Sequence, residues 1–235
     1  MRPRGSACAL RRAAGRRALA RQARTVSIYT PQSFAAHDET AIARLVRDHP
    51  FATLITPGNP EPFISHLPLE LAADRGPRGT LLGHMARANP HWRHFGNGAS
   101  VAVFHGPHAY VSPSWYVDPA TAVPTWNYAV AHVHGVATPM SDETETRALL
   151  DRLISRYEAG RASPWRLQLE GRPLETLLGA IVGFRLDIER IDTKLKFSQN
   201  RSVEDRDRVI AALRGEAYPE ATATAVWMES YARES

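Results

Sequence analysis

Residues 100–140 read SVAVFHGPHAYVSPSWYVDPATAVPTWNYAVAHVHGVATPM. SVAVFHG and AYVSPSWY are short runs rich in β-branched and aromatic residues, joined at Gly106-Pro107. After the loop DPATAVPT comes WNYAVAHVHGVATPM, a long run of the same texture. Consecutive strands with no helix between them argue against alternating βαβ units. They point instead to a β-barrel.

The flanks agree. FATLITPG, PFISHLPLEL and TLLGHMA read as three upstream strands, with DRGPRG as a tight turn, and IVGFRLDIERIDTKLKF reads as a closing strand. SIYTPQSF reads as an extended entry segment, and its Pro31 suits the first turn of a helix. HDETAIARLVRDHP is an amphipathic helix with Ile42, Leu45 and Val46 on one face, and ANPHWRHF is a helical turn or two. SDETETRALLDRLISRYEAG is the clearest helix, with Ser141 as N-cap, acids in its first turn and Gly160 at its end. LETLLGA and VEDRDRVIAALRG are further helices. The fold class is α+β, mainly β: a barrel of about six short strands with peripheral helices. Residues 1–27 read as an Arg-rich extension, 28–215 as the barrel domain with its C-terminal helix, and 216–235 as a loosely ordered tail.

Composition bounds the function. The 235 residues contain no run approaching about 18 apolar residues, so no transmembrane helix is expected. One cysteine, Cys8, excludes an intrachain disulfide framework and a cysteine-based metal site. The net charge is +5, but residues 1–24 carry eight arginines and no acid. The rest holds 21 basic and 24 acidic side chains, so the charge that would favour nucleic acid belongs to the extension alone. That extension reads as disordered or transit-like. A cytoplasmic protein is expected, with organelle targeting by residues 1–24 as the alternative.

Four segments are polar and aromatic at once: Ser65–Glu70, Gly83–Trp92, Tyr110–Tyr116 with Val123–Tyr128, and Lys194–Arg201. A flavin mononucleotide needs a cation and donors for its phosphate, flat apolar walls, and polar groups for its pyrimidine edge. Arg87 and Asn89 suit the phosphate, with Ser65 and His66 as further donors. Trp115, Trp126 and Tyr128 suit the ring walls, and Thr125, Asn127, Gln199 and Asn200 suit the edge. Each also has a plain structural role: Arg87 a solvated charge, the tryptophans core anchors, and Ser202 or Asn200 the cap of the terminal helix. Lys194 and Lys196 are the only lysines. No GxxxxGK[ST], GxGxxG, GxSxG or HExxH motif is present. His132 and His134, two apart on a strand, share a face, but without nearby carboxylates or cysteines a metal site is not favoured.

These motifs, in order, resemble those of the PaiB-type FMN-binding negative transcriptional regulators. The matching segments are IYTPQSF, HPFATLIT, SHLPLEL, GTLLGHMARANPHW, VFHGPHAYVSPSWY, VPTWNYAVAHVHG, AIVGFRLDIERIDTKLKFSQNR and DRDRVIAAL, spanning about Ile28 to Leu213. The resemblance implies a split β-barrel related to pyridoxamine-phosphate oxidases and flavin reductases. It also implies a homodimer with FMN between two subunits. It places Ser65, His66, His84, Arg87 and Asn89 on the phosphate side. Trp115, Thr125, Trp126, Asn127, Lys196, Gln199 and Asn200 become ring-side or partner-side candidates. Direct DNA binding finds no support in a helix-turn-helix motif. The alternatives are an FMN-dependent oxidoreductase acting on a small substrate and a haem-binding or haem-degrading barrel, for which His132 and His134 come first.

Overall fold

The structure, a computed structural model, describes residues 27–35 and 39–234. Seven strands form one sheet: β1 Phe51–Thr56, β2 Phe63–Pro68, β3 Glu70–Ala72, β4 Thr80–Ala86, β5 Ser100–Val111, β6 Thr125–Pro139 and β7 Ile181–Lys196. Their order is β2-β1-β5-β6-β7-β4-β3, every pairing antiparallel. The two ends of this row curl until β2 and β4 face each other. The barrel is therefore split: β2 and β4 are neighbours without a shared ladder.

Two expected features change in detail. PFISHLPLEL is not one strand, because it breaks at Leu69. That residue's N–H donates to Pro50 O at 2.9 Å, and β3 crosses to pair with β4. Conversely, SVAVFHG and the AYV of AYVSPSWY are one strand, β5, with a register shift between His105 and His108, while Pro113–Trp115 leaves it as a 3₁₀ turn. A bulge absorbs Gly106-Pro107 and lets the ladder continue. A second shift in β6 sits at Gly135, where a Cβ would lie 2.0 Å from Asp187 O. Only glycine permits that approach.

Among the described residues five α-helices flank the sheet: α1 Glu39–Asp48, α2 Glu143–Glu158, α3 Gly171–Gly179, α4 Val203–Gly215 and α5 Pro219–Glu234. Asp142, not Ser141, caps α2, its side chain accepting from Thr144 N–H at 2.8 Å. Ser202 caps α4 by accepting from Asp205 N–H at 3.1 Å. Where a loose tail was expected, α5 packs on β5 and α4. Ala221, Ala225, Trp227 and Met228 enter the main core beside Leu45, Leu54, Phe104, Phe184 and Leu195. Arg44 stacks over Trp227 at 4.4 Å and donates to Ser230 Oγ at 2.9 Å, tying α5 to α1. A satellite cluster of Ala72, Leu82, Leu149 and Leu153 seats α2. The Arg-rich extension lies outside the described residues apart from Ser27, and no helix among the described residues is long and apolar enough to cross a membrane.

Candidate functional site

The seam between β2 and β4 opens into a cleft of about 510 Å³. Such a volume is ordinary for a small-molecule site. Alternation along the strands decides what lines it. Leu67 and Met85 belong to the core, while Ile64 and His66 on β2 and His84 and Ala86 on β4 face outward. Ile64, Leu67, Met85 and Ile181 give it apolar walls, and Ser65, His66, His84 and Asn89 give it polar groups. Four expected site residues, far apart in sequence, thus meet in one place.

The corner after β4 sets their geometry. Asn89 N–H donates to Ala86 O at 2.9 Å, turning the chain, and Asn89 then caps the 3₁₀ turn Pro90–His94 by accepting from His91 N–H at 3.0 Å. That turn buries His91 completely, among Phe63 and Phe95. Its Nδ1 lies 2.8 Å from Ser65 Oγ, which also accepts from Asn89 Nδ2 at 3.0 Å. Burial, then the neighbouring His94, pushes the His91 pKa down to about 4, so the ring is neutral at physiological pH. His84 is held below the usual imidazole range by burial, and its Nδ1 is buried without a partner, as is Nε2 of His91. His66 Nδ1 lies 3.1 Å from Thr53 Oγ1 on β1.

Arg87 is not brought into this cleft. Its Nε donates to Gly179 O at 2.5 Å and its Nη2 to Ile181 O at 2.7 Å. These carbonyls, at the end of α3 and the start of β7, hold the guanidinium beside Ile181. There it lines a separate cavity of about 260 Å³ with Trp92, Met140 and Asp142.

The ring-side candidates collect elsewhere, around the far ends of β6 and β7. Trp126 is 51% exposed and borders an apolar hollow of about 510 Å³ on the outer β5–β6 face, with His105, His108, Tyr128 and Val130. Lys196 Nζ donates to Thr125 Oγ1, and its pKa is lowered by burial and then by Lys194. Asn127, Gln199 and Trp115 serve the frame. Asn127 is fully buried and bonds Ser198 Oγ at 3.0 Å and Met228 Sδ at 3.3 Å. Gln199 closes its own turn onto Phe197 N–H and Leu195 O. Trp115 packs partly buried against the core, and Asn200 is exposed in the turn. The hollow and the cleft share no residue, and β6 stands three strands from β2 in the sheet.

Sequence reasoning missed one residue and, of a second feature, saw only the two histidines. His91 lay inside the quoted ANPHW run, and the Asn-Pro cap was the available signal that this turn folds inward. The other is a polar cluster: Ser27 Oγ lies 2.8 Å from both His132 Nδ1 and His134 Nε2 and donates to Asp192 Oδ2 at 3.0 Å, with Arg190 on the same carboxylate. Among the described residues no group of three or more His, Cys, Asp or Glu is arranged to hold a metal ion.

An antiparallel barrel split at a polar-rimmed cleft places the chain in the split-barrel class. The model of the family described as "Putative FMN-binding domain" matches residues 28–190. A curated relative, protease synthase and sporulation protein PAI 2 of Bacillus subtilis, is 37% identical over 205 residues, covering 86% of this chain and 97% of its own. The chain belongs to this FMN-binding family and is of the PaiB type. Two solved structures share the fold at TM-score 0.55. The FAD and heme binding protein of Mycobacterium smegmatis is 18% identical, over 75% of this chain and 78% of its own. The flavocytochrome Anf3 of Azotobacter vinelandii is 15% identical, over 74% and 75%.

FMN is therefore the cofactor, and the cleft fits it. The Ser65 and Asn89 groups would supply polar contacts, and Ile64, Leu67, Met85 and Ile181 apolar walls. When bound, the flavin provides hydride and electron chemistry, and the protein's part is to hold, orient and screen it.

Proposed function

We propose that the protein is a homodimeric, cytoplasmic FMN-binding regulator of the PaiB type. FMN is seated in the β2–β4 cleft and covered by the outer β5–β6 hollow of a second copy. The observation that carries this is the gathering of Ser65, His66, His84 and Asn89 on one seam. The division of candidates into two separate surfaces supports the second copy. Trp126 and Tyr110, 51% and 40% exposed, form an aromatic face suited to burial against a partner. Regulation is supported by the Bacillus subtilis relative, whose name links it to protease synthesis and sporulation. It acts through a surface or partner rather than a recognition helix, because α4 interleaves Glu204, Asp205 and Asp207 with Arg206 and Arg208.

Protein purified with its flavin is expected to be yellow and to release FMN, one per chain, from a particle of twice the chain mass. The double variant Ser65→Ala/Asn89→Ala should hold less than half the flavin. Protein that takes up no FMN when saturated with it would overturn the reading. A mobility shift on promoter DNA at low salt tests direct repression; no shift there removes DNA as a direct partner and leaves the flavin reading standing.

A further inference from the structure

Ser65, Asn89 and His91 close a ring of hydrogen bonds at the inner wall of the cleft. One link orients the others. His91 N–H donates to Asn89 Oδ1 at 3.0 Å, so Asn89 must present its Nδ2 to Ser65 Oγ, also at 3.0 Å. Ser65 Oγ thus already accepts one hydrogen bond. It also lies 2.8 Å from His91 Nδ1. A hydroxyl has one proton and two lone pairs, and a neutral imidazole carries its proton on only one nitrogen. Two arrangements remain.

In the first, Ser65 gives its proton to Nδ1, and His91 carries its own on Nε2. That nitrogen is buried and has no hydrogen-bond partner. A buried N–H without an acceptor is rarer in proteins than an under-used acceptor, because the donor's proton has nowhere else to go. In the second, Nδ1–H donates to Ser65 Oγ, and Nε2 is a bare nitrogen among Phe63 and Phe95. Both lone pairs of Ser65 are then occupied, and its only proton is free to point into the cleft that Ser65 lines.

We infer that His91 is a positioning residue, held as the Nδ1–H tautomer, that makes Ser65 an obligate donor and so makes the cleft select FMN, with its acceptor-rich phosphate, over riboflavin. This rests on the reading that flavin occupies the β2–β4 cleft with its phosphate end at Ser65. A hydroxyl donating to an ionised oxygen forms a charge-assisted bond, whereas riboflavin's terminal hydroxyl offers only a neutral acceptor. The pKa of His91, pushed down to about 4, keeps the doubly protonated imidazolium out at physiological pH, so only one ring nitrogen carries a proton.

Long-range ¹⁵N–¹H NMR of the histidine rings, together with FMN and riboflavin titrations of the wild type, H91N, H91Q and H91F, tests it. The His91 signals should show the proton on Nδ1. H91F should weaken FMN about tenfold, the scale of one hydrogen bond to a charged group, and leave riboflavin within about twofold. H91N, whose amide nitrogen can reach the place of Nδ1, should recover most of the loss, and H91Q should not. A proton on Nε2, or parallel weakening of both flavins in H91F, would overturn the inference. If H91F does not fold, the wild-type tautomer decides. Failure of the parent reading looks different: Ser65→Ala/Asn89→Ala would leave FMN binding unchanged whatever the tautomer.

Discussion

Single residues in the cleft trade stability for a fixed polar wall. His91 is fully buried and neutral, with its pKa lowered to about 4 from 6.5. The native state therefore resists protonation at this site, while the unfolded chain accepts a proton near the ordinary value. The stability linked to His91 is complete above about pH 6.5 and is lost as pH falls toward 4, up to about 3 kcal/mol at 1.36 kcal/mol per pH unit. His84, His49, His132 and His134 are shifted the same way, each chiefly by burial, and add to the slope. Urea midpoints measured from pH 7 to pH 4 should fall steadily in the wild type and less steeply in H91F. Equal slopes in the two proteins would remove His91 from the pH dependence.

At the scale of elements, α5 shows why the C-terminal residues are part of the fold. Their weak amphipathic pattern masked a packed helix. Trp227, 5% exposed, fills the space between α1 and the core, with His49 and Phe197 at its edges. Removing such a ring leaves a cavity the surroundings cannot close, so Trp227→Ala is expected to lose about 3–5 kcal/mol in denaturant unfolding. The loss should be accompanied by higher hydrogen exchange in α1 and α4. A change below about 1 kcal/mol would mean that α5 is docked only loosely. The strand break at Leu69 works at the same scale. It ends β2 and lets β3 turn across to β4, leaving β2 facing β4 with no ladder between them. Continuous pairing would have sealed the cleft.

At the scale of the whole molecule, the cleft and the outer hollow are surfaces of one sheet that cannot meet within one chain. In the proposed dimer a second copy answers that separation, and Trp126 is the residue on which to test it. Trp126→Arg places a charge in the apolar hollow and touches no cleft residue. It is expected to yield monomers in light scattering and, with them, loss of bound FMN. Monomers that keep full flavin occupancy would show the cleft to be complete by itself.

Much of this was legible in the sequence, for a local reason. Strand texture in 100–140, the period and acidic first turn of α2, and the Ser202 cap depend on residues within a few positions of one another. So do the donors of SHLP and the Asn-Pro corner, and Ser65, His66, His84 and Asn89 were expected site residues that converge. What only the tertiary structure decided lies in contacts made across the chain. Arg87 looked like a phosphate cation, yet it donates to the carbonyls of Gly179 and Ile181, more than 90 positions away, which only the folded chain brings beside it. His91 meets Ser65 because the curl of the sheet brings β2 against the turn after β4. The ring-side candidates separated from the phosphate side because strand order, set by which ladders close, placed β6 at the middle of the sheet and β2 at its edge.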